Sequence, residues 1–368
     1  MRVLQVVDIL EYGGAQKLLV TFAQQAQKQG IHTTVICLYE RRGTPVRTEL
    51  EAYGAKVIVL KSRRLFDFKA LQKMYQIMQA EKFDIIHTHL TYANITGALT
   101  GWFVGTPVIA TLHNTFIDMR HSHPLRDRLE YWIMRNLNKR VLAVGENVAD
   151  AYKRILHRNL DIIPNAVSVP AMLSIEERVA LRKEITGDVD LLLCIAVGRF
   201  SPQKGYLDLI MAFDIVHKDN PTAVLVIVGD GVLRPEIEAR ISELNSANYV
   251  KLLGLRNDVP RLLMASDLYV NASLWEGLPI AHLEAMAAGV PMVVTAVGDV
   301  PRIVVEGTGL MVAAQNPGDL ARTISVLLHD SPRRSLMGAS AREFVTQHYS
   351  APVWFDKIIK LYRQAGAN

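Results

Sequence analysis

Residues 191–228 read LLLCIAVGRFSPQKGYLDLIMAFDIVHKDNPTAVLVIV and contain two short apolar runs with a helical pattern between them. The runs, at 192–197 and 223–228, have the length of buried strands rather than of helices. A glycine-containing loop, VGRFSPQKG at 197–205, joins the first run to the helical pattern. This order of elements is typical of a parallel βαβ unit, so the stretch predicts an α/β fold.

The same alternation of apolar runs and amphipathic stretches extends over almost the whole chain. Further strands are predicted at residues 3–7, 34–38, 56–60, 84–87, 107–111 and 140–144 of the first half, and at 249–252, 268–271, 291–294 and 310–312 of the second. Helical patterns cover residues 15–29, 68–80, 92–103 and 124–137. Both halves therefore have the pattern of a doubly wound domain with a parallel sheet.

A length of 368 residues is sufficient for two such domains. We place the first at residues 1–170 and the second at 171–350, because the pattern loosens near 169–174. The stretch PVWFDKIIKLYRQ at 352–364 predicts an amphipathic helix. Its own pattern does not reveal where that helix docks.

The apolar runs and the cysteines indicate the compartment of the protein. No apolar run approaches the roughly 18–20 residues that span a bilayer. Asp8 and Glu11 interrupt the apolar N-terminus too early for a signal-peptide core. Cys37 and Cys194 each lie alone within a strand pattern, which predicts two reduced core thiols and no disulfide. We therefore expect a cytoplasmic protein.

Charge is distributed unevenly along the chain. Residues 1–170 contain 22 Lys and Arg against 14 Asp and Glu, a net charge of +8, whereas the remainder has 19 against 22, a net charge of −3. The basic half favours an anionic partner, either membrane lipid or a phosphorylated acceptor, unless its charges are simply solvated helix surface.

One predicted helix combines basic and aromatic side chains: Arg126, Arg128, Tyr131, Trp132, Arg135, Lys139 and Arg140 belong to it or follow it directly. A basic helix with aromatic residues can lie on an anionic membrane surface, so association with the inner face of the membrane is one interpretation. A core helix with a charged exterior is the other.

The loop at 197–205 carries two cations, Arg199 and Lys204, between a strand and a helix. In open α/β sheets ligands bind beyond the carboxyl ends of the strands, and the N–H groups of a helix N-terminus bind anions. The loop therefore suits a diphosphate. Two ordinary surface cations are the alternative.

A second stretch, SLWEGLPIAHLEAMAAGVP at 273–291, carries two acidic residues eight positions apart, Glu276 and Glu284. Gly277 allows close approach of the backbone, and Pro279 suits the first turn of a helix. An ionised carboxylate accepts hydrogen bonds at both oxygens, so Glu284 could bind a ribose diol and Glu276, at the loop tip, a second polyol. Alternatively, Glu276 is exposed and Glu284 pairs locally.

The first half offers weaker signals. Gly13 and Gly14 open the first helix without the spacing of a dinucleotide-binding fingerprint. Two histidine pairs occur, at His87 with His89 and at His121 with His123. Neither pair has a nearby Cys, Asp or Glu arranged as a convincing third ligand, so we predict no metal site.

Taken in order, the GGAQK stretch near the N-terminus, GRFSPQKG, VGDG at 228–231 and the acidic pair resemble the retaining glycosyltransferases of family 4. The resemblance implies the GT-B fold, with two facing Rossmann-like domains, a cleft between them and a C-terminal helix, about 351–368, that crosses back to the N-terminal domain. It implies that the first domain binds the acceptor and the second the donor. It assigns catalytic roles to Arg199, Lys204, Glu276 and His113. It assigns donor binding to Gly14, Gly229, Leu255, Arg256, Gly277, Leu278, Pro279 and Glu284.

The implied reaction moves a hexose-type sugar from a nucleotide diphosphate sugar, linked to UDP, GDP or ADP, to a hydroxyl of a glycan or lipid-linked acceptor. Anomeric configuration would be retained, no metal or other cofactor would be needed, and the pathway would be the synthesis of cell-surface polysaccharide or lipopolysaccharide. A sugar-nucleotide epimerase of similar fold and a non-catalytic nucleotide-sugar-binding subunit are the alternatives. A nucleic-acid partner is not expected, because no recognition motif accompanies the basic charge.

Three further positions bear on the resemblance. Asn165 in IPNAV resembles the family's asparagine at the connection between domains, where a structural turn is equally compatible. Gly145 occupies a position where many relatives have serine, and Arg302 one where glutamate is common. These departures concern substrate details more than the fold.

Overall fold

The computed structural model describes residues 1–11, 13–40, 45–62, 65–114 and 123–367. The chain divides into two compact units. The N-terminal unit comprises Met1–Ala166 together with Ala351–Asn368, and the C-terminal unit comprises Val167–Ser350. The division thus falls four residues before the boundary placed from the sequence at 170.

The N-terminal unit is built on a seven-stranded parallel sheet in the order β3-β2-β1-β4-β5-β6-β7. Its strands are β1 (Arg2–Leu10), β2 (His32–Glu40), β3 (Lys56–Val59), β4 (Ile85–His89), β5 (Val108–Leu112), β6 (Arg140–Ala143) and β7 (Asp161–Ile162). The central strands are buried on both faces, which is why they read as continuous apolar runs. The sequence did not predict β7, because a two-residue strand has no period to detect.

Helices cover both faces of this sheet. They are α1 (Gly14–Lys28), α2 (Val46–Ala52), α3 (Phe68–Glu81), α4 (Thr91–Val104), α5 (Pro124–Asn136) and α6 (Glu146–Leu156). The start of α3 is set by Asp67, whose carboxylate accepts hydrogen bonds from the backbone N–H groups of Lys69 and Ala70 at 3.1 and 3.2 Å. Such a cap satisfies donors that the helix itself leaves unpaired.

The C-terminal helix α15 (Ala351–Gln364) packs on this unit, as the resemblance implied. Its ring side chains surround Phe22 of α1: the ring centroids of Trp354, Phe355 and Tyr362 lie 6.4, 5.1 and 6.0 Å from that of Phe22. Fully burying a large apolar side chain contributes roughly 1.5–3 kcal/mol. The apolar side of α15 therefore anchors the chain end to α1.

The C-terminal unit repeats the design with a six-stranded parallel sheet in the order β10-β9-β8-β11-β12-β13. Its strands are β8 (Leu192–Val197), β9 (Ala223–Val228), β10 (Val250–Gly254), β11 (Leu268–Asn271), β12 (Met292–Thr295) and β13 (Leu310–Val312). Four of these strands have the predicted bounds, and the other two are shifted by one or two residues. The α/β fold with two Rossmann-like units is therefore confirmed.

Its helices are α7 (Ile175–Thr186), α8 (Tyr206–Asp219), α9 (Arg234–Glu243), α10 (Val259–Ala265), α11 (Ile280–Ala287), α12 (Val300–Ile303), α13 (Pro317–Leu328) and α14 (Ser331–His348). A reciprocal capping box between Ser174 and Glu177 starts α7. Strand order reverses between β8 and β11, and loops beyond the carboxyl ends of strands at such a switch point form ligand sites in doubly wound folds.

Cys37 in β2 and Cys194 in β8 are free and buried, as predicted. Burial raises the pKa of the Cys37 thiol to about 12, so this thiol stays protonated at neutral pH. Along the described ranges, no helix is both long and apolar enough to cross a membrane.

Candidate functional site

The loop after β8 is the first component of the site. After Val197 the chain passes through a short 3₁₀ turn, Pro202–Lys204, and enters α8 at Tyr206. Gly205 precedes α8 with φ of +60°, and a Cβ there would lie 2.1 Å from the carbonyl oxygen of Ala272 at the end of β11. Only glycine fits this approach, which holds Lys204 against the loop that follows β11.

The Lys204 ammonium lies 2.5 Å from Oε1 of Glu276. The same oxygen accepts a hydrogen bond from the Ser273 hydroxyl at 2.7 Å, and Oε2 accepts one from the Gln203 amide at 3.2 Å. Glu276 is only 6% exposed, so the alternative that it is an exposed surface carboxylate is wrong. A buried carboxylate held by three donors gives the lysine a fixed position at the carboxyl edge of the sheet.

The turn that carries Glu276 is supported from β12. Gly298 has φ of +57°, and a Cβ there would lie 1.9 Å from the carbonyl oxygen of Glu276. The N–H of Asp299 donates to the carbonyl of Gly277 at 3.1 Å, and the Thr295 hydroxyl donates to the carbonyl of Ser273 at 2.6 Å. The loop after β12 therefore determines the shape of the turn at 276–277.

Helix α11 follows this turn and carries Glu284 in its second half. Pro279 is the residue before the first helical residue, one position earlier than predicted. Leu278 and Pro279 are buried, so this segment approaches the core closely.

Tyr269 of β11 contacts α11, the helix that carries Glu284. Its hydroxyl lies 3.2 Å from Nδ1 of His282, a residue of α11. Burial, and then the charges of neighbouring groups that include Glu276 and Glu284, raise the pKa of Tyr269 well above its usual value. Burial and the positive charge of Lys204 lower the pKa of His282 well below its usual value. The contact between Tyr269 and His282 therefore joins β11 to α11, the two elements that flank the turn at 276–277.

Backbone hydrogen bonds join the ends of β8, β9 and β10. The N–H of Gly198 donates to Val228 at 3.0 Å, and the N–H of Gly229 donates to Gly254 at 2.9 Å. Gly229 has φ of +146°, and a Cβ there would lie 1.9 Å from the carbonyl oxygen of Gly198. Arg199 is exposed beside this junction. Gly229 is thus required for the close packing of the loop that carries Arg199.

Leu255 and Arg256 follow β10 directly. Leu255 is 57% exposed and is available for contact with a planar ligand. The Arg256 guanidinium donates two hydrogen bonds to the carboxylate of Asp258, at 2.8 and 2.7 Å, and a third to Glu184 at 3.3 Å. Arg256 therefore has a structural role in holding the loop, whatever ligand it contacts.

The N-terminal unit holds the remaining candidates. Gly14 is exposed at the start of α1. His113 follows β5, and its Nε2 lies 3.1 Å from Nδ1 of His89. The ring nitrogens of His87 and His89 are hydrogen bonded to other side chains of the same unit. Among the described residues, no group of three or more His, Cys, Asp and Glu side chains is arranged to hold a metal ion. His121 lies outside the described residues, and His123 is exposed.

The structure also describes the two positions that depart from the family pattern, Gly145 and Arg302, and the matching Asn165. Gly145 precedes α6 in an extended conformation that any residue can adopt. Arg302 lies 3.2 Å from the carboxylate of the buried Asp299. Asn165 is buried next to the point where the two units divide.

Sequence reasoning missed several residues of this site: Gln203, Ser273, His282, Thr295 and Gly298. Gln203, Ser273 and His282 were inside the quoted motifs, but no spacing rule marks a residue that holds another side chain in place. For Gly298 a signal existed, because it follows an apolar strand run as Gly198 and Gly229 do.

Two family descriptions match the chain. Residues 178–344 match "Glycosyl transferases group 1", and residues 12–169 match "Glycosyltransferase Family 4". Together they span most of the chain.

Individual relatives agree with this assignment. An Escherichia coli UDP-Gal:alpha-D-GlcNAc-diphosphoundecaprenol alpha-1,3-galactosyltransferase is 28% identical over 80% of this chain and 79% of its own length. The N-acetyl-alpha-D-glucosaminyl L-malate synthase of Bacillus anthracis is 28% identical over 81% of this chain and 78% of its own. Anabaena HepE, solved in complex with UDP-glucose, has a TM-score of 0.88 at 22% identity and covers 99% of this chain and 100% of its own, which shows a shared fold. The chain therefore belongs to the glycosyltransferases of family 4, with two Rossmann-like domains of the GT-B type.

Proposed function

We propose that the protein transfers a hexose-type sugar from a nucleotide diphosphate sugar to a hydroxyl of a glycan or lipid-linked acceptor, with retention of anomeric configuration. The observation that carries this proposal is the position of the Lys204 ammonium. The buried carboxylate of Glu276 holds it at the switch point between β8 and β11 of the six-stranded sheet. The two relatives named above, a galactosyltransferase and an N-acetylglucosaminyl-malate synthase, support a sugar donor.

The proposed chemistry follows from where charge develops. Breaking the bond between the anomeric carbon and the diphosphate leaves negative charge on the leaving group, and fixed cations and N–H dipoles lower that barrier. Arg199 and Lys204 would supply the cations, and the backbone of Gly277, Leu278 and Pro279 would lie near the sugar. The acceptor hydroxyl would attack from the face that the diphosphate leaves, with a diphosphate oxygen taking its proton.

Each remaining residue has a proposed binding role. Glu284 would accept hydrogen bonds from the ribose hydroxyls, and Leu255 would contact the base. Glu276 would act on the donor sugar chiefly by orienting Lys204, because its own oxygens are already hydrogen bonded. Gly14 and His113 would serve the donor from the N-terminal unit. With two cations available to the diphosphate, we propose that no metal cofactor is needed.

A thermal-shift series tests the donor. Because a ligand at a hundred times its Kd adds about 2.7 kcal/mol to the free energy of unfolding, the correct nucleotide sugar will raise Tm by several degrees. We expect UDP-linked sugars to raise Tm more than GDP-mannose or ADP-glucose, since the E. coli relative is named for a UDP-galactose donor and HepE was solved with UDP-glucose.

The same preparation should release nucleotide diphosphate in the presence of acceptor, with or without EDTA. Absence of both stabilisation and release would refute the proposal. Stabilisation without release would favour a non-catalytic binding subunit, and conversion of the donor to another nucleotide sugar without acceptor would favour an epimerase.

Association with the cytoplasmic face of a membrane is proposed from the exposed side of α5. Leu125, Arg128, Trp132 and Arg135 are exposed at helical spacing, with Leu125 at 70% and Trp132 at 55%. The opposite side of α5 buries Ile133 and Met134. Apolar and basic side chains along one stripe suit an anionic lipid surface, where a lipid-linked acceptor would be found.

Co-sedimentation with phosphatidylglycerol-containing vesicles tests this surface. We expect Leu125→Ser to weaken binding about fivefold, because roughly 1 kcal/mol of apolar contact is lost. Leu336→Ser is the matched control, since Leu336 is 72% exposed on α14 of the other unit and should not affect binding. Equal binding by both variants and the unaltered protein would exclude α5 as the contact.

A further inference from the structure

The N-terminal unit contains an unbroken hydrogen-bond chain through six side chains. In order along the chain of bonds they are Thr111, His87, Tyr362, Gln5, His89 and His113. Nε2 of His87 lies 2.6 Å from the Thr111 hydroxyl, and Nδ1 lies 2.7 Å from the Tyr362 hydroxyl. The amide of Gln5 lies 3.1 Å from Tyr362 and 2.8 Å from Nε2 of His89. The final bond joins His89 to His113 at 3.1 Å.

These hydrogen bonds run across strands β5, β4 and β1 and pass through α15 midway, where Tyr362 lies between His87 and Gln5. Gln5 lies on β1, His87 and His89 on β4, and Thr111 on β5, while Tyr362 reaches in from the C-terminal helix. All but His113 are buried. Burial lowers the pKa of His87 to about 3 and that of His113 to about 4, and it lowers the pKa of His89 well below its usual value. All three rings are therefore neutral at physiological pH.

Because the three imidazole rings are neutral, the hydrogen bonds that join the six side chains can be given donor and acceptor ends. A neutral imidazole has one N–H donor and one acceptor nitrogen, and an amide has a donating end and an accepting end. The Gln5 nitrogen donates to Tyr362, so its oxygen accepts from Nε2–H of His89. Nδ1 of His89 must then accept from Nε2–H of His113. This leaves Nδ1 of His113 with a lone pair.

The other side of Gln5 follows the same direction. The Tyr362 hydroxyl oxygen accepts a hydrogen bond from the Gln5 amide, and its O–H donates one to Nδ1 of His87. The Nε2–H of His87 then donates to the Thr111 hydroxyl. All three histidines are thus Nε2–H tautomers. Turning the Gln5 amide over would reverse every bond and convert all three to Nδ1–H tautomers, so one side chain controls the whole chain.

We infer that Gln5, held by Tyr362, is a positioning residue that keeps Nδ1 of His113 as a hydrogen-bond acceptor for a hydroxyl of the sugar substrate. Within the part of the chain that the structure describes, no protein atom hydrogen bonds to that nitrogen. The role of the ligand hydroxyl rests on the proposed function, whereas the tautomer of His113 does not.

Long-range ¹H–¹⁵N correlation spectra of the full-length protein, labelled at histidine, read the tautomers directly. We expect Nε2–H signals for His87, His89 and His113, with His113 assigned from the His113→Gln variant. Gln5→Met removes both amide hydrogen bonds, so His89 and His113 should become mixtures of tautomers. Thr111→Val is the matched control, because it removes only the distal bond to His87 and should leave His113 unchanged.

Kinetics supply the second measurement. We expect Gln5→Met to lower kcat/KM for the nucleotide sugar about fivefold, the size of one hydrogen bond, and Thr111→Val to change it less than twofold. The Kd of the nucleoside diphosphate alone should be unchanged in both. If Gln5→Met does not fold, Tyr362→Phe can replace it, because it removes the hydrogen bond that holds the Gln5 amide. This variant should give the same mixture of the two tautomers at His113.

A Nδ1–H tautomer at His113 in the unaltered protein, or an unchanged tautomer in both Gln5→Met and Tyr362→Phe, would overturn the inference. An unaltered protein that shows the expected tautomers but transfers no sugar would instead refute the proposed function.

Discussion

We expect the replacement of Lys204 with Met to lower kcat/KM for sugar transfer by about a hundredfold or more, because in the proposed mechanism it removes the fixed cation that meets the departing diphosphate. The variant will also be less stable. Lys204 and Glu276 form a pair in which both side chains are largely buried. Removing one partner of a buried pair leaves an uncompensated charge and typically costs about 3–5 kcal/mol. Urea unfolding and initial rates of nucleotide diphosphate release measure the two effects.

Two further variants separate stability from catalysis. Lys204→Met combined with Glu276→Gln removes both charges, so it should recover part of the stability and none of the activity. Lys218→Met removes a lysine of the same unit that is itself 73% exposed, while its partner Asp214 keeps the hydrogen bond from the Tyr249 hydroxyl at 2.7 Å. Its loss should cost less than about 1 kcal/mol and no activity. Wild-type turnover by Lys204→Met would remove the lysine from the proposed mechanism.

Gly298→Ala will have the second large effect, although Gly298 has no side chain. An added Cβ would lie 1.9 Å from the carbonyl oxygen of Glu276, so the turn at 276–277 must move. We expect a loss of at least about 3 kcal/mol of stability, since the clash is with backbone and adds to the strain of a left-handed residue. The Kd for the nucleoside diphosphate should rise at least tenfold.

Gly307→Ala is the matched control. Gly307 also has a positive φ, +82°, but an added Cβ there has no neighbour within 4 Å. Gly307→Ala should therefore lower the free energy of unfolding by only about 1 kcal/mol, the strain of alanine in a left-handed conformation, and leave the nucleotide affinity unchanged. Equal losses in the two variants would mean that strain at the backbone, and not contact with the turn, explains the effect. Calorimetric titration and urea unfolding provide both measurements.

Much of the fold could be predicted because its determinants are local. The strands at 192–197, 223–228 and 268–271 have the predicted bounds, since a strand buried on both faces reads as a short apolar run whatever its partners are. The helix predicted at 352–364 agrees with the observed α15 to within one residue, because an amphipathic helical pattern is also a local property of the sequence. The order of the motifs was likewise enough to identify the family.

Contacts between distant residues could not be predicted from such patterns. Lys204 and Glu276 are 72 positions apart, and the sequence offered no reason to expect Glu276 to be buried rather than at an exposed loop tip. Gln5 and Tyr362 are 357 positions apart, and both read simply as members of a strand and of an amphipathic helix.

The sequence by itself determined the alternation of strands and helices, the two-domain organisation and the loops that carry the candidate residues, because periodicity and turn residues act over a few positions. Only the tertiary structure decided which carboxylate holds Lys204, why Gly298 has to be glycine and that Tyr362 of the C-terminal helix contacts Gln5. Each of these depends on distances between segments that only the packing of parallel strands and their covering helices brings together.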